Sequence, residues 1–580
     1  MPNFLAMSFE GELAPRFDLR CLAPEPSKKL PDGWGIGFYP GGEPSASVLK
    51  EAAPPRGSIR GEIVKAWEHL EASLFLLHIR SAMWGSISDA NTQPFCRSFG
   101  GRDFLLAHSG SLVERLTPKG GALFQPVGST DSELIFCEFL LWLSQKGATS
   151  LGDVEPADLR SFLEEMNGHG SLTLAMSDGR DLLLYADKSG ESPVHVGKVQ
   201  PPFEKLLVSD EDVEVDFTRR GAKSRKGLFF ASNLMECEGA LIEWTKLEPG
   251  GLLLARQGII VAEAKRPSPE ASPVPATIDA RRGPLRPLKA EPQRLSVVHR
   301  TVYRYSQPVE RSSHHLRLEP AHDKLQSLLD YELIISVEGL ERAYQDVFGN
   351  QVRKLSLDTP FTELAIEARS RVLLLDTDPL GFRPLRQRTK IPLVWMPWQW
   401  HMLQPFLLPP ELPESQLLEL SEYAMSFVER NDYDLLDTLL DLNASIYREY
   451  KYKSGSTTIS TTPFEVYVGR CGVCQDFANL FICLARLLGV PARYVCGYIY
   501  TGPKSPNQLQ SEASHAWVQV YLPEIGWKGF DPTNGVLTQT SHIRVAVGRS
   551  YVDATPTSGT LYVGGGGETL EVDVRVEPVD

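Results

Sequence analysis

The sequence predicts an α+β protein built from several domains. Three observations carry this. The chain has 580 residues, several times the roughly 150 of an ordinary domain. A proline-rich stretch at 264–293 divides it, with seven prolines between 267 and 292. Beyond that stretch, strand-like alternation gives way to helical periodicity and then to strands again.

The first segment, residues 1–263, carries the strings MPNFLAMS, DGWGIGFY, LHIRSAMWG, NTQPF, LLAHSGSL, GSTDSELIF and KGLFFASNLM. These resemble the class II glutamine amidotransferases, N-terminal-nucleophile enzymes with stacked β-sheets between helices. The resemblance implies a cysteine directly after the initiator methionine, whose thiol attacks the glutamine amide while its α-amine acts as base. Here that position is Pro2, which has no thiol and only a secondary amine. An asparagine that serves as oxyanion donor in the family is Ser109 here. Other positions match. The resemblance implies that Arg80 pairs with an α-carboxylate in bidentate fashion, that Asp131 pairs with an α-amino group, and that Gly110 offers a backbone N–H to an oxyanion. Three readings follow: an inert scaffold, a site binding glutamine, a γ-glutamyl group or a peptide end without cleaving it, or an altered chemistry through a processed Pro2. An ordinary ion pair is the plain alternative for Arg80 and Asp131. His108 and Ser132 do not suggest a serine hydrolase, because no G-x-S-x-G elbow surrounds Ser132.

Residues 264–293 read as a linker, since dense proline removes backbone donors and favours extended chain. Residues 294–376 read as a small β-domain. Val297, His299, Thr301, Tyr303 and Tyr305 alternate, and DVFGN at 346–350 is a turn signal between strand-like runs. Residues 377–580 form the last domain. It opens with a stretch containing WMPWQWH, whose Trp395, Trp398 and Trp400 suit a substrate cleft or, more plainly, packing between domains. A helix begins at Cys474, with Phe477, Leu480, Phe481, Leu484, Leu487 and Leu488 at helical spacing and Gly489 and Pro491 ending it. YVCGYIYT, HAWVQVYL and KGFDPT read as strands.

Within this last domain GVCQDFA, ASHAWVQVYL and GWKGFDPTNG supply Cys474, His515 and Asp531 in order. A thiol is a nucleophile only as thiolate, and a helix N-terminus stabilises that anion. A histidine takes and returns the proton, and a carboxylate fixes its tautomer. Cys483, on the same helix, reads as core. The C-G-V-C spacing of Cys471 and Cys474 permits a redox pair but reads better as a tight turn, and no second ligand pair supports zinc. The three strings resemble the transglutaminase-like superfamily in its bacterial branch. The likeness extends back to HRTVYRY and DVFGN, forward to HIRVAVGRSYVDATP, and covers roughly 294–580. It implies a papain-like α+β core with Cys474 as nucleophile, His515 as base and Asp531 as orienting carboxylate. Family members cross-link glutamine side chains to amines or hydrolyse amides as cysteine peptidases, so the implied partner is a protein or peptide substrate. This chemistry needs no metal or other cofactor.

Composition excludes other classes. A net charge of −14 opposes a nucleic-acid role; the cluster Arg219, Arg220, Lys223, Arg225 and Lys226 reads as a solvated loop. Eight cysteines in 580 residues make no disulfide framework. The opening residues are too acidic for a signal peptide, and no apolar run nears the ~20 residues that span a bilayer. The expectation is a cytoplasmic protein, away from membranes, where thiols stay reduced.

Overall fold

The computed structural model describes residues 3–19, 31–42, 44–55, 58–67, 70–81, 86–112, 123–218, 224–265, 290–381, 389–453, 455, 457–458, 460–500 and 514–579. Pro2, three members of the basic cluster (Arg219, Arg220 and Lys223) and residues 266–289 of the expected linker lie outside that set. The chain forms two compact units, Met1–Pro275 with Pro413–Ser415, and Ala276–Leu412 with Gln416–Asp580.

The first unit stacks two antiparallel sheets. One has seven strands in the order Ile242–Lys246, His195–Val199, Gly227–Ala231, Asn3–Leu13, Ala72–Arg80, Gly33–Phe38 and Ser47–Glu51; the other has six, with Arg102–Leu112 and Gly170–Ser177 near one end. Their facing sides share a core that includes Phe4, Leu76, Leu105, Ala175, Leu184 and Phe230. Alternation in GWGIGF follows from this stacking. Trp34, Ile36 and Phe38 point into the core on the outer side, while a Cβ on Gly35 would sit 2.3 Å from the Gln93 carbonyl. Helices Asp131–Gln145 and Pro156–Met166 bury their apolar faces on the outer side of the six-stranded sheet. The outer side of the other sheet differs from the expected helical layer. A four-stranded sheet containing Phe17, Val208 and Val215, with the short helix Ile59–Ala66, covers it, because these short alternating segments bury one face each.

The second unit is organised around one long strand, Gln293–Leu316, at the centre of a seven-stranded sheet. Val297, His299, Thr301 and Tyr305 on it are buried, as the alternation predicts. The DVFGN turn joins Leu340–Gln345 to Gln351–Leu357, and Gly349 adopts φ +82° there, which glycine meets without strain. The closing strands, Thr557–Gly564 and Glu568–Pro578, pair with this same long strand. The sequence reading grouped them with the catalytic part; hydrogen bonding joins them to the β-domain instead, since the long strand has open edge positions along its length.

The remaining core is a five-stranded antiparallel sheet in the order Val536–Leu537, Gly526–Asp531, His515–Leu522, Ala492–Ile499 and His542–Gly548. Helix Cys474–Leu487 packs on it, with helices Leu435–Glu449 and Pro463–Gly469 beyond. The helix is buried on nearly all sides between Asp476 and Arg486, Asn479 being half-buried, rather than on the single face read from periodicity. Off the leucine stripe, Ala478, Ile482, Cys483 and Ala485 are buried as well. Arg486 is buried at its C-terminal end because four hydrogen bonds to the carbonyls of Ala492, Leu408 and Arg549 satisfy its guanidinium.

Candidate active site

Cys474 is the first helical residue of its helix. The turn that delivers it is built from local contacts. Val473, the N-cap, donates its N–H to Asp476 at 2.8 Å, and the Thr457 hydroxyl donates to the same carboxylate oxygen at 2.6 Å. A Cβ on Gly472 would lie 2.8 Å from the Asp476 side chain, so only glycine lets the chain pass. Arg470 takes a left-handed conformation with φ +48°. Its guanidinium sits 5.1, 4.7 and 5.0 Å from the rings of Tyr423, Tyr450 and Tyr467 and donates to the Tyr450 hydroxyl at 2.8 Å. This cage holds the residue that turns the chain toward Cys471, Gly472 and the thiol.

His515 begins one strand and Asp531 ends its antiparallel neighbour, so both fall at the same end of the sheet. His515 Nε2 donates to Asp531 Oδ2 at 2.9 Å, and both side chains are fully buried. The other ring nitrogen, Nδ1, is buried without a protein partner of ordinary hydrogen-bond geometry; the Cys474 thiol is the neighbour that acts on this ring besides Asp531. Burial alone would lower the basicity of His515. The charge and hydrogen bond of Asp531, helped by Cys474, outweigh it and carry the imidazole up to about 10. Burial would raise Asp531, but His515 and then His542 hold its carboxyl well below the usual range. The structure therefore brings together the three residues singled out from the sequence.

Two further residues complete the carboxylate's surroundings. His542 Nε2 donates to Asp531 Oδ2 at 3.1 Å, and Asn534 Nδ2 donates to it at 2.7 Å. The backbone N–H groups of Thr533 and Asn534 donate to Oδ1 at 3.0 and 3.2 Å. In the strings HIRVAVG and FDPTNG the sequence gives neither His542 nor Asn534 a role. The signal for His542 was a histidine opening a strand, as His515 does. The ring atoms of both histidines and the Asp531 oxygen lie within 4.8 Å of one another, a spacing compatible with a divalent ion. Two hydrogen bonds from Nε2–H groups account for the same spacing.

The neighbouring aromatics and thiols have plainer roles. Trp517, fully buried, packs against His515 and His542 at ring-centroid distances of 5.9 and 5.3 Å. Tyr452, partly exposed, packs edge-on to Phe477 at 6.4 Å; burial, then Cys474 and Asp476, push its hydroxyl up to about 12. Cys483 is core, as expected, and burial pushes its thiol up to about 12. Trp395 donates to the Gly489 carbonyl, beyond the far end of a 14-residue helix from Cys474, about 20 Å away at 1.5 Å per residue. It does not line a cleft at the thiol.

In the first unit, Arg80 ends its strand, buried, and both terminal nitrogens donate to the Ser86 carbonyl at 3.3 Å. Burial lowers its guanidinium and Asp32 opposes the shift. Asn91 donates to that same carbonyl and to Ser129 Oγ, two residues before Asp131. Asp131 opens its helix, accepting from the backbone N–H of Leu112 at 2.8 Å and of Ser132 at 2.9 Å. Gly110 has φ +152°, and a Cβ there would lie 2.2 Å from the Ser171 carbonyl. His108 Nδ1 and Ser132 Oγ are 2.9 Å apart, and Gln93 Nε2 donates to both the His108 carbonyl and Ser132 Oγ. These buried groups clamp the helix N-terminus to the sheet. In the sequence NTQPF reads as one motif string, which gives Asn91 and Gln93 no separate roles.

Comparison with known proteins fits both units. Residues 1–279 match the class-II glutamine amidotransferases, residues 295–373 the bacterial transglutaminase-like N-terminal region, and residues 422–532 the transglutaminase-like superfamily. Rv2569c of Mycobacterium tuberculosis, uncharacterised, is 34% identical over 304 residues, 50% of this chain and 93% of its own length. YafJ of Escherichia coli, a glutamine amidotransferase by name only, is 30% identical over 221 residues, 38% of this chain and 82% of YafJ. The periplasmic domain of TgpA from Pseudomonas aeruginosa is 17% identical, covering 41% of this chain and 90% of that domain, at a TM-score of 0.22 when bound to ethylmercury. The chain belongs to the class-II glutamine amidotransferases through its first unit, and its second unit carries the two transglutaminase-like regions. The transglutaminase-like match supports an enzyme of a cysteine-dependent, amide-acting kind. Among the described residues no helix is long and apolar enough to cross a membrane.

Proposed function

We propose that the chain catalyses acyl transfer from a protein or peptide amide through a thioester on Cys474. The observation that carries this is the buried His515–Asp531 pair, 2.9 Å apart, whose imidazole also feels the thiol of Cys474 at the start of a helix. The thiolate adds to the amide carbonyl carbon, and the Cys474 N–H at the helix start faces the developing oxyanion. His515 gives its Nδ1 proton to the leaving amine as the C–N bond breaks, leaving the thioester. Water or a primary amine then attacks the thioester; His515 takes the nucleophile's proton, the C–S bond breaks and the thiolate returns. Water gives hydrolysis and an amine gives cross-linking, so access of the acceptor decides the outcome.

For the first unit we propose docking of a glutamine, γ-glutamyl or peptide-end ligand, or scaffolding, without glutamine hydrolysis. The buried network around Arg80 and Asp131 supports a retained recognition site. The described cysteines are free thiols, which suits work in the cytoplasm.

The test is the rate of Cys474 alkylation by iodoacetamide against pH, followed by mass spectrometry. A reactive thiolate persisting well below the free-thiol value of ~8.5, and lost in His515→Ala, is the expected result. An inaccessible thiol, or one indifferent to His515, would make both units ligand-binding modules. Cys474→Ala abolishes turnover of peptide amides, with and without an added primary amine; retained turnover would move the nucleophile elsewhere.

A further inference from the structure

Asp531 is fully buried, and five N–H groups converge on it. A carboxylate only accepts, so the Nε2 atoms of both His515 and His542 carry protons toward it. The two imidazoles therefore share one oxygen, Oδ2. They reach it from opposite sides of strand Ala492–Ile499, where His515 lies across from Gly497 and His542 across from Ile499. Gly497 makes this convergence possible, since a Cβ there would lie 1.9 Å from the Ile543 carbonyl and 2.7 Å from the Trp517 ring. The ring of His542 is fixed at its other nitrogen by Ser541 Oγ, 3.1 Å from Nδ1, and on its face by Trp517.

This inference rests on the acyl-transfer reading of Cys474, His515 and Asp531, and concerns one stage of that cycle. On that reading the attacking thiolate, the imidazolium and the carboxylate alternate in charge. Acylation consumes the thiolate, and His515 surrenders its Nδ1 proton. The acyl-enzyme is left with a buried anionic carboxylate facing a neutral imidazole. A buried charge without a counter-charge is costly unless hydrogen bonds replace the lost partner. His542 and Asn534 are the side chains that do so. We infer that His542 is a positioning residue for deacylation: its Nε2–H keeps Asp531 anionic and in place while His515 is neutral, so that His515 can take a proton from the attacking water. Acylation begins with His515 already charged, and depends on His542 far less.

The two stages separate with p-nitrophenyl acetate as probe. Acylation forms the S–C bond and breaks the C–O bond, and His515 gives its Nδ1 proton to the departing oxygen, releasing p-nitrophenol. Deacylation adds water to the thioester, places its proton on His515, breaks the C–S bond and releases acetic acid. In His542→Phe the second-order acylation rate stays within about threefold of wild type. Saturated turnover falls about ten- to a hundredfold, the worth of one hydrogen bond to a charged group. KM falls with kcat, and acetylated Cys474 accumulates in the mass spectrum. His542→Gln, which keeps an N–H donor, recovers most of the turnover. If His542→Phe melts well below wild type, Ser541→Ala loosens the same ring without opening the core and shows the same split in smaller measure. A parallel fall in both stages, or none in either, overturns the inference and makes His542 a packing residue. If wild type is not acetylated on Cys474, or Cys474→Ala turns over equally, the acyl-transfer reading itself fails, and this inference with it.

Discussion

Asp531→Asn tests the chemistry of the site more sharply than removal of the thiol. Lifting His515 from its ordinary 6.5 to about 10 corresponds to roughly 5 kcal/mol in favour of the imidazolium. That preference keeps a fully buried ring charged at pH 7. An asparagine carries no charge and presents an amide N–H₂ in place of one carboxylate oxygen. If that amide occupies the Oδ2 position it faces three N–H donors, and if it occupies the Oδ1 position it faces two. In the first arrangement His515 can be accommodated only by moving its proton to Nδ1, where a donor then confronts the thiol. In the second, the ring keeps its place but loses the charge that held its proton. Either way the thiol loses its proton acceptor or its counter-charge. A free thiol is about 3% ionised at pH 7 if its pKa is ~8.5, so alkylation of Cys474 by iodoacetamide at pH 7 falls about 30-fold. Acyl transfer falls further, up to about 10⁴-fold, because the tautomer also fails as acid and base. The assay is the pseudo-first-order alkylation rate from pH 5 to 9, with mass spectrometry locating the adduct. An Asp531→Asn protein alkylated at pH 7 within threefold of wild type would refute the argument and leave Asp531 a purely structural group.

Three other outcomes are expected. Stability should follow the charge of the same pair. The contribution of His515 is full below its unfolded value of ~6.5 and lost as pH rises through about 10, whereas that of Asp531, whose carboxyl is depressed, is full above ~3.9 and lost as pH falls. The urea-midpoint difference between wild type and His515→Gln is therefore largest between about pH 4 and 6.5 and nearly gone by pH 10.5; a difference that grows with pH would contradict the sign. Arg470→Ala removes three ring contacts at 4.7 to 5.1 Å, each about 0.5–1 kcal/mol, so urea denaturation should show a loss near 2 kcal/mol and slower Cys474 alkylation; unchanged values would mean the cage is decorative. Gly497→Ala forces a Cβ to 1.9 Å from a carbonyl oxygen, and a melting curve should show at least about 3 kcal/mol of destabilisation of the second unit.

The parts of the site that were legible in the sequence share one property: each is written in local sequence. Cys474 follows Gly472 and opens a run of apolar residues at helical spacing; His515 and Asp531 sit at the ends of alternating runs joined by a short turn. Residues within one element, or on adjacent strands, are brought together by rules of period and turn that a sequence displays. What was not legible depends on contacts that no period encodes. Periodicity gives the Cys474 helix one apolar face, yet it is buried nearly all round, because small residues beside its leucines say nothing of what will pack on them. The closing strands were grouped by proximity in the chain with the catalytic part, yet they pair with a strand more than two hundred residues earlier.

His542 is the instructive case. It lies 27 residues beyond His515 along the sequence, on the strand across Ala492–Ile499 from it. Nothing local distinguishes it from a core histidine opening a strand. Its place beside Asp531 requires the register of two strand pairs and a glycine between them, so only the folded sheet shows it. The demand for it was nevertheless present in the chemistry. A carboxylate at 0% exposure has acceptor capacity for several hydrogen bonds, and one imidazole satisfies only part of it. A buried Asp531 therefore required further donors somewhere in the chain. Reading a triad as three residues leaves that requirement unmet; counting the hydrogen bonds of its most buried member leads to the second histidine and to the stage of the cycle in which it is needed.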